Sequence, residues 1–196
     1  MERKYAWHNY DDATMEKVYA LSDTYRQFLD NGKTERECVV QAVEFAEAKG
    51  YVNLKDIIKS NTPIKAGDKI YYTHMDKSIA LFNIGTDDIE LGMNILGAHI
   101  DSPRIDVKQN PQYEDSNLVF WDTHYYGGIK KYHWVAMPLA IHGVVVKTDG
   151  TRININIGDN ENDPVFCITD LLPHLGQEQM QKNAAKVIEG EALDLL

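Results

Sequence analysis

His99 and Asp101 are the residues of this chain whose types and spacing are suited to metal chemistry. In an extended segment, residues two apart lie on one side, so the Asp101 carboxylate can approach the His99 imidazole. A carboxylate in that place orients the ring and leaves its other nitrogen facing a metal, and neutral imidazole is a common zinc ligand. Taken alone, a His-x-Asp triplet more often marks a surface histidine or one hydrogen-bonded in a core, and that reading stays open at this level. Cys38 lies in a predicted helix and Cys167 in a predicted strand, far apart in the sequence. They suggest neither a disulfide framework nor a thiolate zinc cluster, so any metal must be held by imidazole and carboxylate.

The remaining candidates are weaker. His74, His124 and His142 have no carboxylate or cysteine at ligand spacing, and His8 precedes the first predicted helix, so all four read as structural. His133, beside Trp134, reads as packed or surface. The group Asp159, Glu161 and Asp163 faintly suggests a calcium loop, but it lacks flanking helices and a closing glutamate and reads as a solvated loop. Lys130-Lys131 reads as a solvated turn sooner than as a receptor for an acidic side chain.

His99 must be positioned by the run 94–99, which is short, apolar and rich in small residues, as suits a strand buried on both faces. Such a strand would end at the polar loop Asp101-Ser102-Pro103, and strand ends in α/β sheets are where ligands bind. Upstream, Asp11 or Asp12 caps a predicted amphipathic helix running from Met15 to Leu29, with Asn31-Gly32 as its stop. Thr34 and Glu37 form a capping box for a second helix that ends at Gly50. Residues 68–74 and 78–84 predict a hairpin around Met75-Asp76-Lys77. After Pro103 only strands and turns are expected: 104–108, 117–122, a long stretch over 132–147, 152–157 and 165–169. Thr148-Asp149-Gly150 marks a hairpin turn between two of them.

The composition is that of an ordinary globular chain, with 196 residues and 43% hydrophobic side chains. Its net charge of −10, with 20 basic residues scattered among 30 acidic ones, argues against a nucleic-acid partner. No apolar run is long enough to span a membrane, and Met1-Glu2-Arg3-Lys4 leads into polar sequence, so a cytoplasmic location is expected.

Gly97-Ala98-His99-Ile100-Asp101-Ser102-Pro103 resembles the hallmark Gly-Ala-His-x-Asp-Ser-Pro of the aspartyl aminopeptidases, a family of dinuclear zinc aminopeptidases, at every fixed position. The hairpin strands on either side of Met75-Asp76-Lys77 are similar to the family's hairpin, and Tyr126-Gly127-Gly128-Ile129 is similar to its Tyr-Gly-Gly-Gly segment. Residues 138–147, Pro164-Val165-Phe166 and Leu171-Leu172-Pro173-His174-Leu175 resemble later segments, so the likeness covers nearly the whole chain.

The resemblance implies that His99 binds zinc and Asp101 supports it. By position, the family's histidine that reaches a neighbouring subunit's active site falls on His174, for which a histidine fixed in a loop is the equal alternative. It implies an α/β fold: the N-terminal part of a zinc-aminopeptidase-type catalytic domain over 1–106, then the start of an inserted β-rich, barrel-like dimerisation domain over 107–196. It further implies two zinc ions per active site, peptide substrates and a homo-oligomer. Ile129 replaces the family's third glycine, and Lys130-Lys131-Tyr132-His133-Trp134 stands where the family has a Trp-rich stretch with Asp-Arg, so preference for acidic N-terminal residues does not carry over intact. The bridging Asp, Glu-Glu pair, further carboxylate and late His of the family have no counterpart here, and the sequence is expected to be a fragment or truncated frame without turnover. The competing expectations are a related dinuclear glutamyl or tetrahedral aminopeptidase, or a non-catalytic oligomerisation module.

Overall fold

The computed structural model describes residues 5–196; the polar start Met1-Glu2-Arg3-Lys4 lies outside the described residues. The chain divides into two compact units, one ending at Asp101 and the other spanning Ser102–Leu196.

In the first unit, α1 (Asp12–Asn31) begins where the Asp11 carboxylate accepts the Thr14 N–H at 2.9 Å. Of its expected apolar stripe, Met15, Val18 and Phe28 are half-buried, whereas Tyr19, Leu21, Tyr25 and Leu29 are exposed. Helix α2 (Glu35–Ala48) carries the capping box: the Glu37 N–H donates to Thr34 Oγ1 at 3.3 Å while the Glu37 carboxylate accepts the Thr34 N–H at 2.9 Å. Its Cys38, Val39 and Ala46 are buried.

Strand β1 (Val52–Asn53) leads directly into α3 (Leu54–Ser60), capped by the Asn53 side chain and ended by Asn61 in the left-handed region. This short helix is absent from the sequence expectation, although its Asn cap is a readable signal. Strand β2 (Lys69–His74) pairs with β1 in parallel and with β3 (Ser78–Asn83) antiparallel, giving the order β1-β2-β3. The hairpin turns through Met75 and Asp76, both at positive φ. Adjacent strand residues point to opposite faces, and both Ile70 and Tyr71 are buried, so the central strand is covered on both sides. Helix α2 covers one face, with the Tyr71 hydroxyl donating to Glu47 at 2.6 Å. On the other, Lys55 of α3 lies over the Tyr72 ring.

The run 94–99 departs from expectation. It forms no strand and pairs with none of the described residues, and Ile95 and Leu96 are 79% and 101% exposed. An apolar run becomes a buried strand only when other strands flank it and other layers cover it, and the described residues supply neither.

The second unit is built on two separate antiparallel ladders. Strands β4 (Arg104–Asp115) and β5 (Leu118–Tyr126) join through Ser116 and Asn117, both at positive φ. Their register shifts between Val107 and Gln112, and Pro111, which has no N–H to give a ladder, falls inside this bulge. Strands β6 (Ile141–Val146) and β7 (Arg152–Ile157) form the other hairpin, with Gly150 at φ +85° in the expected turn.

The continuous strand expected over 132–147 is broken. Residues Lys131–His133 form a 3-10 turn, Ala136 adopts a positive φ, and pairing resumes at Ile141. Pro138 explains the break, since it removes a ladder donor and restrains Met137 before it. Residues 165–169 contribute isolated bridges, Phe166 to Leu139 and Ile168 to Val135, in place of a full strand.

Ile168, Ile188, Leu193 and Leu195 form the buried core of this unit, with Trp121, Trp134 and Phe166 packed around them. The tail is stitched in by backbone pairs between Leu195 and Trp121 (2.8 and 3.0 Å) and between Leu196 and Cys167 (2.8 and 3.0 Å). The Thr123 hydroxyl donates to the Leu193 carbonyl. A short helix α4 (Gln177–Met180) precedes this tail. Both cysteines are free thiols, and burial pushes the Cys38 thiol up. Among the described residues, no helix is long and apolar enough to cross a membrane.

Candidate functional site

The chain reaches His99 through Gly92, at φ +108°, and a segment without ladder bonds. The ring of His99 is held by the residue two places on. Its Nδ1 lies 3.0 Å from the Asp101 backbone oxygen and 3.2 Å from the Asp101 carboxylate. Both partners are acceptors, so Nδ1 is the donor in these contacts. The His99 side chain is 84% exposed and that of Asp101 35%, which leaves Nε2 open to a ligand.

Those two residues fit one arm of a metal site: an imidazole with its far nitrogen free and its near nitrogen anchored by a carboxylate. They are not a whole site. Among the described residues, no group of three or more His, Cys, Asp or Glu side chains could hold a metal ion. His174 sits in an exposed turn closed by the Leu175 and Gly176 N–H groups, which both donate to the Leu172 carbonyl at 2.9 Å.

Two of the sequence segments singled out above meet in the second unit. Gly127 takes φ +76°, and a Cβ there would stand 3.5 Å from the Pro103 ring. The Arg104 guanidinium lies 4.4 Å from the centre of the Tyr126 ring and donates to Asp106 at 2.8 Å. The loop after Asp101 is thus tied to the Tyr126-Gly127 turn. Ile129, in place of a glycine, packs against the core of this unit.

Three further histidines make local contacts. His142 Nε2 lies 3.2 Å from Asp159 with its side chain 9% exposed, so it ties β6 to the loop after β7. His124 stacks on Tyr125, and Tyr132 meets His133 edge to face. In the acidic loop, Asp163 accepts the Gly158 and Asn160 N–H groups at 3.1 and 3.2 Å, which hold its carboxyl below the ordinary range. Its oxygen closes the loop on itself, as a solvated turn requires.

Comparison with known proteins gives a consistent picture. Residues 28–195 match the family model described as aminopeptidase I zinc metalloprotease (M18). A probable M18 family aminopeptidase 1 of Clostridium acetobutylicum is 53% identical over 195 residues, covering 100% of this chain and 42% of that protein. The crystal structure of aminopeptidase I from that organism superposes with a TM-score of 0.84. The M18 aminopeptidase structure from Thermotoga maritima is 44% identical with a TM-score of 0.88, covering 100% of this chain and 41% of that one. The chain therefore spans about two fifths of the length of these relatives. A dodecamer of the S. cerevisiae protein mApe1 shares the fold, at 18% identity, TM-score 0.62, with 90% of this chain and 46% of that one covered.

Proposed function

The chain belongs to the aminopeptidase I zinc metalloprotease (M18) family, and from that premise we propose that it supplies one metal-binding arm of a zinc aminopeptidase releasing N-terminal residues from peptides. The observation that carries this reading is the His99–Asp101 pair, with Nδ1 engaged at 3.2 Å and the ring otherwise exposed.

In this proposal His99 Nε2 holds one zinc of a pair, and Asp101 keeps the proton on Nδ1 and fixes the plane of the ring. Zinc, when bound, polarises the scissile carbonyl and lowers the pKa of an attacking water. His174, exposed in its turn, reaches the active site of a neighbouring subunit in a homo-oligomer; the dodecamer known for the distant mApe1 supports such an assembly. Preference for acidic N-terminal residues belongs to the same reading, modified by Ile129 and Lys130-Lys131.

The domain proposal assigns 1–106 to the catalytic α/β domain and 107–196 to an inserted, barrel-like oligomerisation domain. Its support is the change from helix-rich to ladder-built structure between the two units. The 196 residues alone are proposed to lack turnover, because the described residues offer no three-ligand group. The free thiols of Cys38 and Cys167 suit a reducing, cytoplasmic compartment.

The test is aminopeptidase activity and zinc content of the native polypeptide that contains this chain, with and without chelator, against the same polypeptide carrying His99→Ala. Loss of activity together with lowered zinc is expected. Full activity with full zinc in the variant removes His99 from the site.

A further inference from the structure

In a chain of net charge −10, lysines are outnumbered almost everywhere, yet three of them line one cavity of about 380 Å³ in the second unit. They are Lys131 from the 3-10 turn and Lys182 and Lys186 from the segment before the tail, with Ala185 and Ile188 as apolar wall and Glu189 as the acidic residue.

The pairing within this cavity is uneven. Glu189 is committed to Lys182, at 2.8 Å, and that contact holds its carboxyl below the usual range. Lys131 is half-buried, its ammonium 5.6 Å from the centre of the Tyr125 ring and 3.3 Å from the Ala185 carbonyl, so it is fixed in place without being neutralised. The Lys186 ammonium makes no hydrogen bond or ion pair among the described residues. Two ammonium groups thus line one cavity with no carboxylate paired to either among the described residues, which leaves both available to a bound anion.

We propose that this cavity binds a small phosphomonoester, its dianionic head between Lys131 and Lys186 and its apolar body against Ala185 and Ile188. The excess of about two positive charges matches a phosphomonoester, which carries roughly −1.5 to −2 at neutral pH. The volume falls within the range of small-molecule sites, and lysine ammoniums act on phosphate as point charges that need no bidentate geometry. None of these residues is His99, Asp101 or His174, and Lys131 alone is shared with the substrate-preference reading, so the tests at Lys186 stand apart from those at His99.

The test is titration of the purified chain with phenyl phosphate, followed by amide NMR shifts and calorimetry. Shifts centred on residues 182–190 are expected, with inorganic phosphate and singly charged benzoate each binding about tenfold more weakly, since a charge-assisted contact or a buried ring contributes on that order. Lys186→Ala should weaken phenyl phosphate about tenfold and Lys186→Arg should retain it, while Lys147→Ala, on an exposed turn, changes nothing. Because the Lys186 side chain is exposed, its removal leaves the fold intact, which near-UV circular dichroism verifies. Benzoate binding as tightly as phenyl phosphate, unchanged affinity in Lys186→Ala, or no shifts at millimolar phenyl phosphate would each overturn the proposal.

Discussion

Leu193 is the side chain on which the second unit most depends, and truncating it to alanine gives a quantitative test. It is 0% exposed, it packs with Ile168, Ile188 and Leu195, and its carbonyl receives the Thr123 hydroxyl. Leucine-to-alanine changes at fully buried sites cost about 2.7–5 kcal/mol, the spread reflecting how far the surroundings collapse into the space left. Leu193 lies near the end of the chain, but backbone pairs at Leu195 and Leu196 hold that end in place. The side chains around it are mostly only partly buried and can close part of the space, so a loss of about 3 kcal/mol, near the lower end, is expected. A unit of about 95 residues has a total stability on the order of 5–14 kcal/mol, so the change removes a large fraction of it and lowers Tm by roughly 10–20 °C. Tryptophan fluorescence during urea unfolding is the assay. Trp121 and Trp134 pack on this core whereas Trp7 is 56% exposed in the first unit, so the emission change reports the second unit. Leu175→Ala, at a site 74% exposed, serves as control and should stay within about 0.5 kcal/mol of the parent. A loss below about 1 kcal/mol for Leu193→Ala would show that the cluster is not the packed core described above.

Asp101→Asn in the native polypeptide should lower zinc affinity by about tenfold, the lower end of the range for partners of metal-ligating histidines, because the Asp101 backbone oxygen at 3.0 Å still accepts from Nδ1; competition against a chromophoric chelator measures it, and an unchanged affinity would detach Asp101 from the metal. Tyr113 donates to Asp194 at 2.7 Å, and this hydrogen bond pushes the phenol up to about 12. A folded-state value above the unfolded one near 10 means the stabilisation is complete below about pH 10 and is lost as pH rises toward about 12. Urea midpoints across that window should fall for the parent and fall less for Tyr113→Phe; parallel curves would refute the assignment.

How much of this was legible in the sequence follows from the range of the forces involved. The Asp11 cap, the Thr34–Glu37 box and the turns at Met75-Asp76 and Asp149-Gly150 are closed by groups no more than a few residues apart, and each stands where its sequence signal lies. The His99–Asp101 contact is of the same kind, since a separation of two residues brings imidazole and carboxylate together before any packing is considered. The acidic loop, too, closes on its own Asp163, as its composition suggested. By contrast, the extent of the apolar stripe on α1 was readable but its cover was not, and Tyr19, Leu21 and Tyr25 stay exposed.

What the sequence by itself determined is the helix caps, the tight turns and the contact between His99 and Asp101. Only the tertiary structure decided that residues 94–99 find no strand beside them, that residues 193–196 are sewn between Trp121 and Cys167, and that Lys131 shares a cavity with Lys182 and Lys186. Caps, turns and i to i+2 contacts draw their energy from neighbours along the chain, whereas a ladder, a core or a shared cavity draws it from partners tens of residues away, and no local pattern specifies which partners those are.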